Sequence, residues 1–108
     1  MAGWWADGFD LLLTPTAARP APRLGELVCH AENPLEDWAR SAPFGIFTSP
    51  FNLTGQPAIS LPLGTSTNGL PVGVQLVAAY GREDQLLQVA AQLEKARPWH
   101  DCWPPLRA

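Results

Sequence analysis

A chain of 108 residues is long enough for one domain and too short for two. Apolar residues make up 46% of the chain and charged residues 16%, a composition typical of globular proteins that excludes an intrinsically disordered one. The net charge is −3 and no two basic residues are adjacent, which argues against a nucleic-acid-binding surface and against a polybasic membrane-binding patch.

The N-terminus shows no basic region followed by an apolar core, and no stretch stays apolar for the roughly 18 residues that cross a bilayer. We therefore expect neither a secretory signal nor a membrane span. The two cysteines, Cys29 and Cys102, match no redox or zinc-binding spacing. This cysteine usage predicts a reducing, cytoplasmic environment.

The N-terminal third combines a short apolar run with a proline-rich stretch. The apolar run, residues 9–13, follows a glycine and predicts a buried β-strand. Residues 17–40 include Pro20, Pro22, Gly25 and Pro34, which predict a mostly irregular loop with one helical turn near residues 35–40. A connection of this length is typical of a loop that packs over another part of a larger protein.

An aromatic helix is predicted from Ser41, because a capping hydroxyl precedes an early proline there. Phe44, Phe47 and Phe51 follow at three- or four-residue steps and give this helix an aromatic face. Pro50 is expected to bend or end it, because proline lacks the N–H that a helix interior needs.

The C-terminal half carries the clearest periodic patterns. Residues 58–63 and 72–79 alternate in polarity and predict two strands, which should pair antiparallel across Asn68 and Gly69. A helix follows, with Glu83 and Asp84 in its first turn and an apolar stripe behind them. The order strand, helix, strand, strand, helix predicts an α/β fold, with a mixed sheet covered by helices.

Four segments occur in a fixed order along the chain: residues 10–16 (DLLLTPT), 52–64 (NLTGQPAISLPLG), 69–77 (GLPVGVQLV) and 81–87 (GREDQLL). In sequence, order and spacing they resemble the C-terminal part of the amidase-signature hydrolases, over about residues 9–99. The helix followed by Trp99 is also similar to the end of bacterial members of the aminohexanoate-oligomer hydrolase type.

The resemblance implies that residues 1–108 are a single C-terminal segment of an amidase-signature α/β domain. Members of this family hydrolyse carboxamide C–N bonds with a nucleophilic serine, a second serine on a cis peptide bond and a lysine base. These groups lie in a Gly/Ser-rich core that precedes the region matched here. Because this chain has no Gly-Gly or Ser-Ser pair, we expect no catalytic residue in it, no activity of the chain alone, and the missing N-terminal core as its partner.

Other candidate catalytic or metal-binding groups have simpler interpretations. The single lysine, Lys95, falls in the last turn of the predicted helix, where a solvated charge is expected. No Gly-x-Ser-x-Gly elbow surrounds any serine, and these are Ser41, Ser49, Ser60 and Ser66. Cys29 with His30 and His100 with Cys102 form a poor zinc site, because adjacent residues chelate one metal badly. We expect neither a metal nor a cofactor.

Two interpretations stay open for Phe44, Gly45 and Phe47. One is core packing of an aromatic helix face. The other is the wall of an acyl-binding pocket, which the resemblance favours because the matching stretch lines the substrate channel in similar enzymes.

Structural roles are expected for five further residues. Asn52 should tie a helix end to neighbouring backbone. Gly55 and Pro57 should break the chain direction after that helix. Gly69 and Gly73 should serve a turn and a close approach of strands.

Three functions follow from these observations. The first is the C-terminal portion of an amidase, which supplies sheet, covering helix and part of the substrate-pocket wall. An alternative is a non-enzymatic interaction module or degenerate subunit derived from an amidase. A second alternative is an amidotransferase-subunit-like chain, disfavoured because no polar pair precedes Phe47 to hold glutamine. In each case the uncovered apolar edges and faces predict self-association of the isolated chain.

Overall fold

The computed structural model describes residues 2–28 and 32–103. The elements in chain order are α1 (Ala2–Ala6), β1 (Leu12–Pro15), α2 (Pro34–Gly45), α3 (Ser49–Thr54), β2 (Ala58–Thr65), β3 (Pro71–Val77) and α4 (Glu83–Ala96). The predicted α/β class is confirmed. Within the two described ranges, no helix combines the length and the apolar character needed to span a bilayer.

The sheet has three antiparallel strands in the order β1-β3-β2. The predicted hairpin of β2 and β3 is confirmed, with Ile59 opposite Leu76 and Ser60 opposite Gln75. Gly69, at a φ of 79°, lies in the turn between them and donates its N–H to the Ser66 carbonyl at 2.9 Å. Only glycine adopts this left-handed conformation at little cost, which explains the residue at this position.

The first strand lies a few residues later than predicted, because β1 covers Leu12–Pro15 and not residues 9–13. The start of the apolar run packs on α1 instead, where the Phe9 and Trp4 rings stack with centroids 4.1 Å apart. Pro15 is tolerated because it lies at the end of an outer strand, where no ladder N–H is required of it.

The predicted helix start at Ser41 is wrong, because α2 begins at Pro34. Proline suits the first helical turn, because the N–H groups of this turn have no partner within the helix. The negative charges of Glu36 and Asp37 in the same turn interact favourably with the positive end of the helix dipole. The Ser41 hydroxyl lies inside α2 and donates to the Trp38 carbonyl at 2.9 Å. The expected effect of Pro50 is also wrong, because this residue lies in the first turn of α3 and ends no helix.

The sheet is covered on both faces. On one face Leu61, Leu76 and Ala78 form a buried cluster with Leu86 of α4. Side chains alternate along a strand, so Gln75 and Val77 of β3 point to the opposite face, where both are buried. The Gln75 amide bonds the Phe47 carbonyl, which places the connection between α2 and α3 on that second face.

The helix predicted after residue 81 is confirmed as α4, with Glu83 and Asp84 in the first turn and Lys95 in the last. Arg82 Nε donates to Asp84 Oδ1 at 3.1 Å. This hydrogen bond, together with one from the Gln85 backbone, lowers the pKa of the Asp84 carboxyl below its ordinary value.

The end of α3 is closed by backbone groups. Gly55 has a φ of 74° and donates its N–H to the Phe51 carbonyl at 2.8 Å. The Pro57 carbonyl then accepts the Ala78 N–H at 3.1 Å, which joins the exit from α3 to the end of β3. The tie expected from Asn52 is not found, since its exposed side chain has no hydrogen-bond partner among the described residues.

Candidate functional site

A pair of hydroxyl groups meets on the second face of the sheet, above Gly73. Thr16 Oγ1 and Ser60 Oγ lie 2.7 Å apart, although 44 residues separate them in sequence. A Cβ at Gly73 would lie 2.7 Å from Thr16 Oγ1 and 2.8 Å from Ser60 Oγ. The hydroxyls can therefore meet only because the central strand carries no side chain at this point.

An open cleft of about 520 Å³ lies over this hydroxyl pair, within the size range of small-molecule sites. The chain after β1 forms one side of it, and Phe44 of α2 forms another. Pro62, Pro71 and Val72 complete the lining, so the cleft is mostly apolar. Its polar side chains are the two hydroxyls and the guanidinium of Arg19.

Arg19 brings a positive charge to the rim of the cleft. Its guanidinium carbon lies 5.7 Å from the centroid of the Phe44 ring, within the range of a cation–π interaction. Its Nη2 lies 3.1 Å from Glu26 Oε1, in an ion pair whose side chains are 57% and 37% exposed. Glu26 Oε2 also accepts the Arg23 backbone N–H at 3.1 Å, so this carboxylate holds the loop that carries Arg19.

The three residues predicted to line a substrate pocket occupy different positions. Phe44 is half-buried and lines the cleft. Gly45 ends α2, and its carbonyl accepts the Ser49 hydroxyl at 2.7 Å. The Phe47 carbonyl accepts Gln75 Nε2 at 3.0 Å. Only Phe44 of the three therefore faces this cleft, while Gly45 and Phe47 shape the connection behind it.

Sequence reasoning missed Thr16, Arg19 and Gln75 as site residues and gave Ser60 only a place on a strand. One signal was available, because alternation along the strand at residues 58–63 puts Ser60 on the face opposite Ile59 and Leu61. No local pattern marks Thr16 or Arg19, which reach the cleft through the pairing of β1 with β3.

Gln75 joins three elements from the centre of the sheet. Its side chain is 3% exposed, and its Nε2 donates to Thr14 Oγ1 of β1 and to the Phe47 carbonyl, each at 3.0 Å. We expect Gln75→Leu to lower the free energy of unfolding by about 1–3 kcal/mol, because it leaves two part-buried acceptors without their donor. Urea denaturation measures this. The control Gln88→Leu changes an exposed glutamine of α4 and should stay within about 0.5 kcal/mol; an equal loss in both variants would contradict this role.

The other serines serve the local backbone. The Ser49 hydroxyl donates to the Gly45 carbonyl at 2.7 Å, and Ser66 Oγ accepts the Leu70 N–H at 3.0 Å. No hydrogen bond joins a serine to the exposed Lys95 within the described residues.

Of the four residues considered as zinc ligands, Cys29 and His30 lie outside the described residues. His100 pairs with Asp101 at 3.0 Å, and Cys102 is a free, exposed thiol. The part of the chain that the structure describes contains no group of three or more potential metal-binding side chains.

A second apolar depression, of about 670 Å³, lies on the outer side of α2 and α3. We call it the outer groove, and its large apolar side chains are those of Trp38, Ile46 and Leu53. Leu53 is 88% exposed, so this surface is uncovered in the structure.

Comparison with known proteins gives consistent matches. The sequence model described as Amidase matches residues 1–87. A 6-aminohexanoate-cyclic-dimer hydrolase of Pseudomonas sp. (strain NK87) is 55% identical over 101 residues, which are 89% of this chain and 20% of that protein. A glutamyl-tRNA(Gln) amidotransferase subunit of Clostridium botulinum (strain Eklund 17B / Type B) is 42% identical over 98 residues, 91% of this chain and 19% of that protein.

The solved structure of 6-aminohexanoate cyclic dimer hydrolase superposes with a TM-score of 0.82 at 54% identity. The superposition covers 90% of this chain and 21% of that one. The chain thus spans about a fifth of the length of the relatives it matches.

Proposed function

The chain belongs to the amidase family, and on that premise we propose that it acts as the C-terminal portion of an amidase and forms part of the substrate-pocket wall. The observation that carries this proposal is the match in sequence and backbone to about a fifth of a hydrolase, at 54% identity and a TM-score of 0.82. The remaining part of the domain would hold the catalytic groups.

In the proposed reaction, a serine of that remaining part attacks the amide carbonyl and forms an acyl ester, and the amine leaves. Water then hydrolyses the ester. Backbone N–H groups stabilise the oxyanion that forms in each step. Residues of this chain take no part in bond making: Phe44 and the prolines of the cleft contact the acyl group and exclude water, while Gln75 holds β1 and the α2–α3 connection in place.

A fusion protein tests this proposal. In the 6-aminohexanoate-cyclic-dimer hydrolase, the matched segment is replaced by this chain, and hydrolysis of small linear amides is measured. We expect the fusion to hydrolyse amides, and we expect no activity from the hydrolase without its segment or from this chain alone. A fusion that folds, by circular dichroism, but hydrolyses nothing would overturn the proposal and favour a non-enzymatic interaction module.

Phe44→Ala in the same fusion tests the pocket wall. We expect KM for an amide with an apolar acyl chain to rise about tenfold, because the ring provides apolar contact worth about 1.5 kcal/mol or more. Phe9→Ala is the control, since it removes an exposed ring that stacks on Trp4 away from the cleft. An equal rise in KM in the two variants would show that Phe44 acts only through general stability.

We also propose that the chain self-associates when it is separated from the rest of an amidase. The outer groove supports this, as do the outer edges of β1 and β2, which pair with no further strand among the described residues, since uncovered apolar surface and strand edges promote association. We expect the sedimentation coefficient to rise with concentration, and Ile46→Gln with Leu53→Gln to reduce the rise. Leu24→Gln, at an exposed leucine outside the groove, should leave it unchanged; a monodisperse monomer at all concentrations would contradict the proposal.

A further inference from the structure

The rim of the cleft carries one cation above an apolar wall. The Arg19 guanidinium lies over the Phe44 ring, and the apolar lining continues from there toward the Thr16 and Ser60 hydroxyls. A ligand with an alkyl chain and one anionic end would match this distribution of apolar and charged groups. Among organic anions, a carboxylate suits it best, because the planar guanidinium donates two parallel hydrogen bonds to a carboxylate.

We propose that Arg19 binds the carboxylate of the substrate, so that the cleft selects amides whose acyl chain ends in a carboxylate. This inference rests on the proposed function, because it assigns a substrate class to the same cleft. The neutral alkyl part of such a substrate would lie against Phe44, and the carboxylate would reach the rim, where solvent compensates part of its desolvation.

The ion pair with Glu26 leaves Arg19 able to accept this ligand. Nη2 donates a hydrogen bond to Glu26, and within the described residues Nε and Nη1 donate none. The pair is largely exposed, and exposed ion pairs contribute little to stability, so a second carboxylate can compete for the guanidinium. Glu26 is then a competitor of the substrate as well as a support of the loop.

This competition separates a binding role from a structural one. Arg19→Gln removes the cation, whereas Glu26→Gln removes the competing carboxylate and keeps a side-chain oxygen that can accept the Arg23 N–H. If the ion pair only stabilises the loop, the two variants lose the same interaction and should change the enzyme in the same direction. If Arg19 binds the substrate carboxylate, they should change carboxylate selectivity in opposite directions.

The experiment uses the fusion protein and two substrates of similar length, the mono-p-nitroanilide of adipic acid and the p-nitroanilide of heptanoic acid. The readout is the ratio of kcat/KM for the anionic substrate to kcat/KM for the neutral one. We expect Arg19→Gln to lower this ratio about three- to tenfold, because the partly exposed charge pair between the guanidinium and the substrate carboxylate is lost. We expect Glu26→Gln to raise the ratio. Changes in the same direction, or no change in the ratio, would overturn the inference.

A second measurement keeps the inference separate from the proposed function. If the fusion hydrolyses neither substrate, the proposed function fails, and the dissociation constants of hexanoate and hexanamide are then measured for this chain by NMR. Tighter binding of hexanoate that is lost in Arg19→Gln and strengthened in Glu26→Gln would support carboxylate recognition by the cleft. Equal binding of the two compounds would overturn it.

Discussion

Leu86→Ala should destabilise the chain by about 3 kcal/mol, because it leaves a cavity where α4 packs on the sheet. Leu86 is 3% exposed and belongs to the buried cluster with Leu61, Leu76 and Ala78. A loss of this size is a large fraction of the stability of a small domain. Urea denaturation followed by tryptophan fluorescence measures it, since Trp99 packs against the same cluster.

Leu87→Ala is the matched control for this experiment. It makes the same change one residue further along α4, on a side chain that is 64% exposed. The change in helix propensity is therefore shared, and only burial differs between the two variants. We expect Leu87→Ala to stay within about 0.5 kcal/mol of the parent chain. Similar losses at the two positions would show that α4 does not pack through Leu86.

Gly73→Ala should lower the free energy of unfolding by about 1–3 kcal/mol, the usual effect of adding a group to a filled site. The new Cβ would lie under 3 Å from both hydroxyl oxygens and 3.1 Å from Thr16 Cβ. Rotation of the hydroxyls can relieve the first two contacts, but the third requires the outer strand to move. We therefore also expect loss of the hydrogen bond between Thr16 and Ser60, measurable by NMR as a change in the Cβ chemical shifts of these two residues.

Gly45→Ala provides a control of opposite sign. A Cβ at Gly45 would meet Ser49 Oγ at 3.5 Å and Thr48 Oγ1 at 3.9 Å, both ordinary contacts, and this residue ends α2. Alanine favours helix more than glycine does, so this variant should be neutral or up to about 1 kcal/mol more stable. If Gly73→Ala is as stable as Gly45→Ala, the steric explanation of Gly73 is wrong.

The parts of the fold that the sequence predicted well are those with local signals. The helix α4 carries acidic residues in its first turn and an apolar stripe behind them, and the hairpin of β2 and β3 surrounds Asn68 and Gly69. In both cases the residues that determine the structure lie within one or two turns of each other. The local sequence pattern of these two elements therefore agrees with their folded conformation, and contacts between distant residues are not needed to explain it.

The parts that the sequence did not predict depend on contacts between distant residues. The bounds of β1 follow from its pairing with β3, in which Thr14 lies opposite Gln75. The sequence predicts only one helical turn near residues 35–40, because prolines interrupt the pattern, whereas α2 begins at Pro34, a residue that is favourable at a helix start. The cleft needs Thr16, Ser60 and Phe44 together, and no spacing along the chain indicates that they meet.

The central position of β3 also determines the order in which the sheet can assemble. β2 and β3 are neighbours in sequence, so their pairing closes only a short loop, whereas β1 must return across more than half the chain to reach the other side of β3. Loop closure costs more entropy as the loop lengthens, and distant pairings form more slowly. The side of the cleft formed by the chain after β1 is therefore the last to form and the first to open. Amide hydrogen exchange should accordingly be slowest in the hairpin of β2 and β3 and faster at Leu12 and Leu13 of β1.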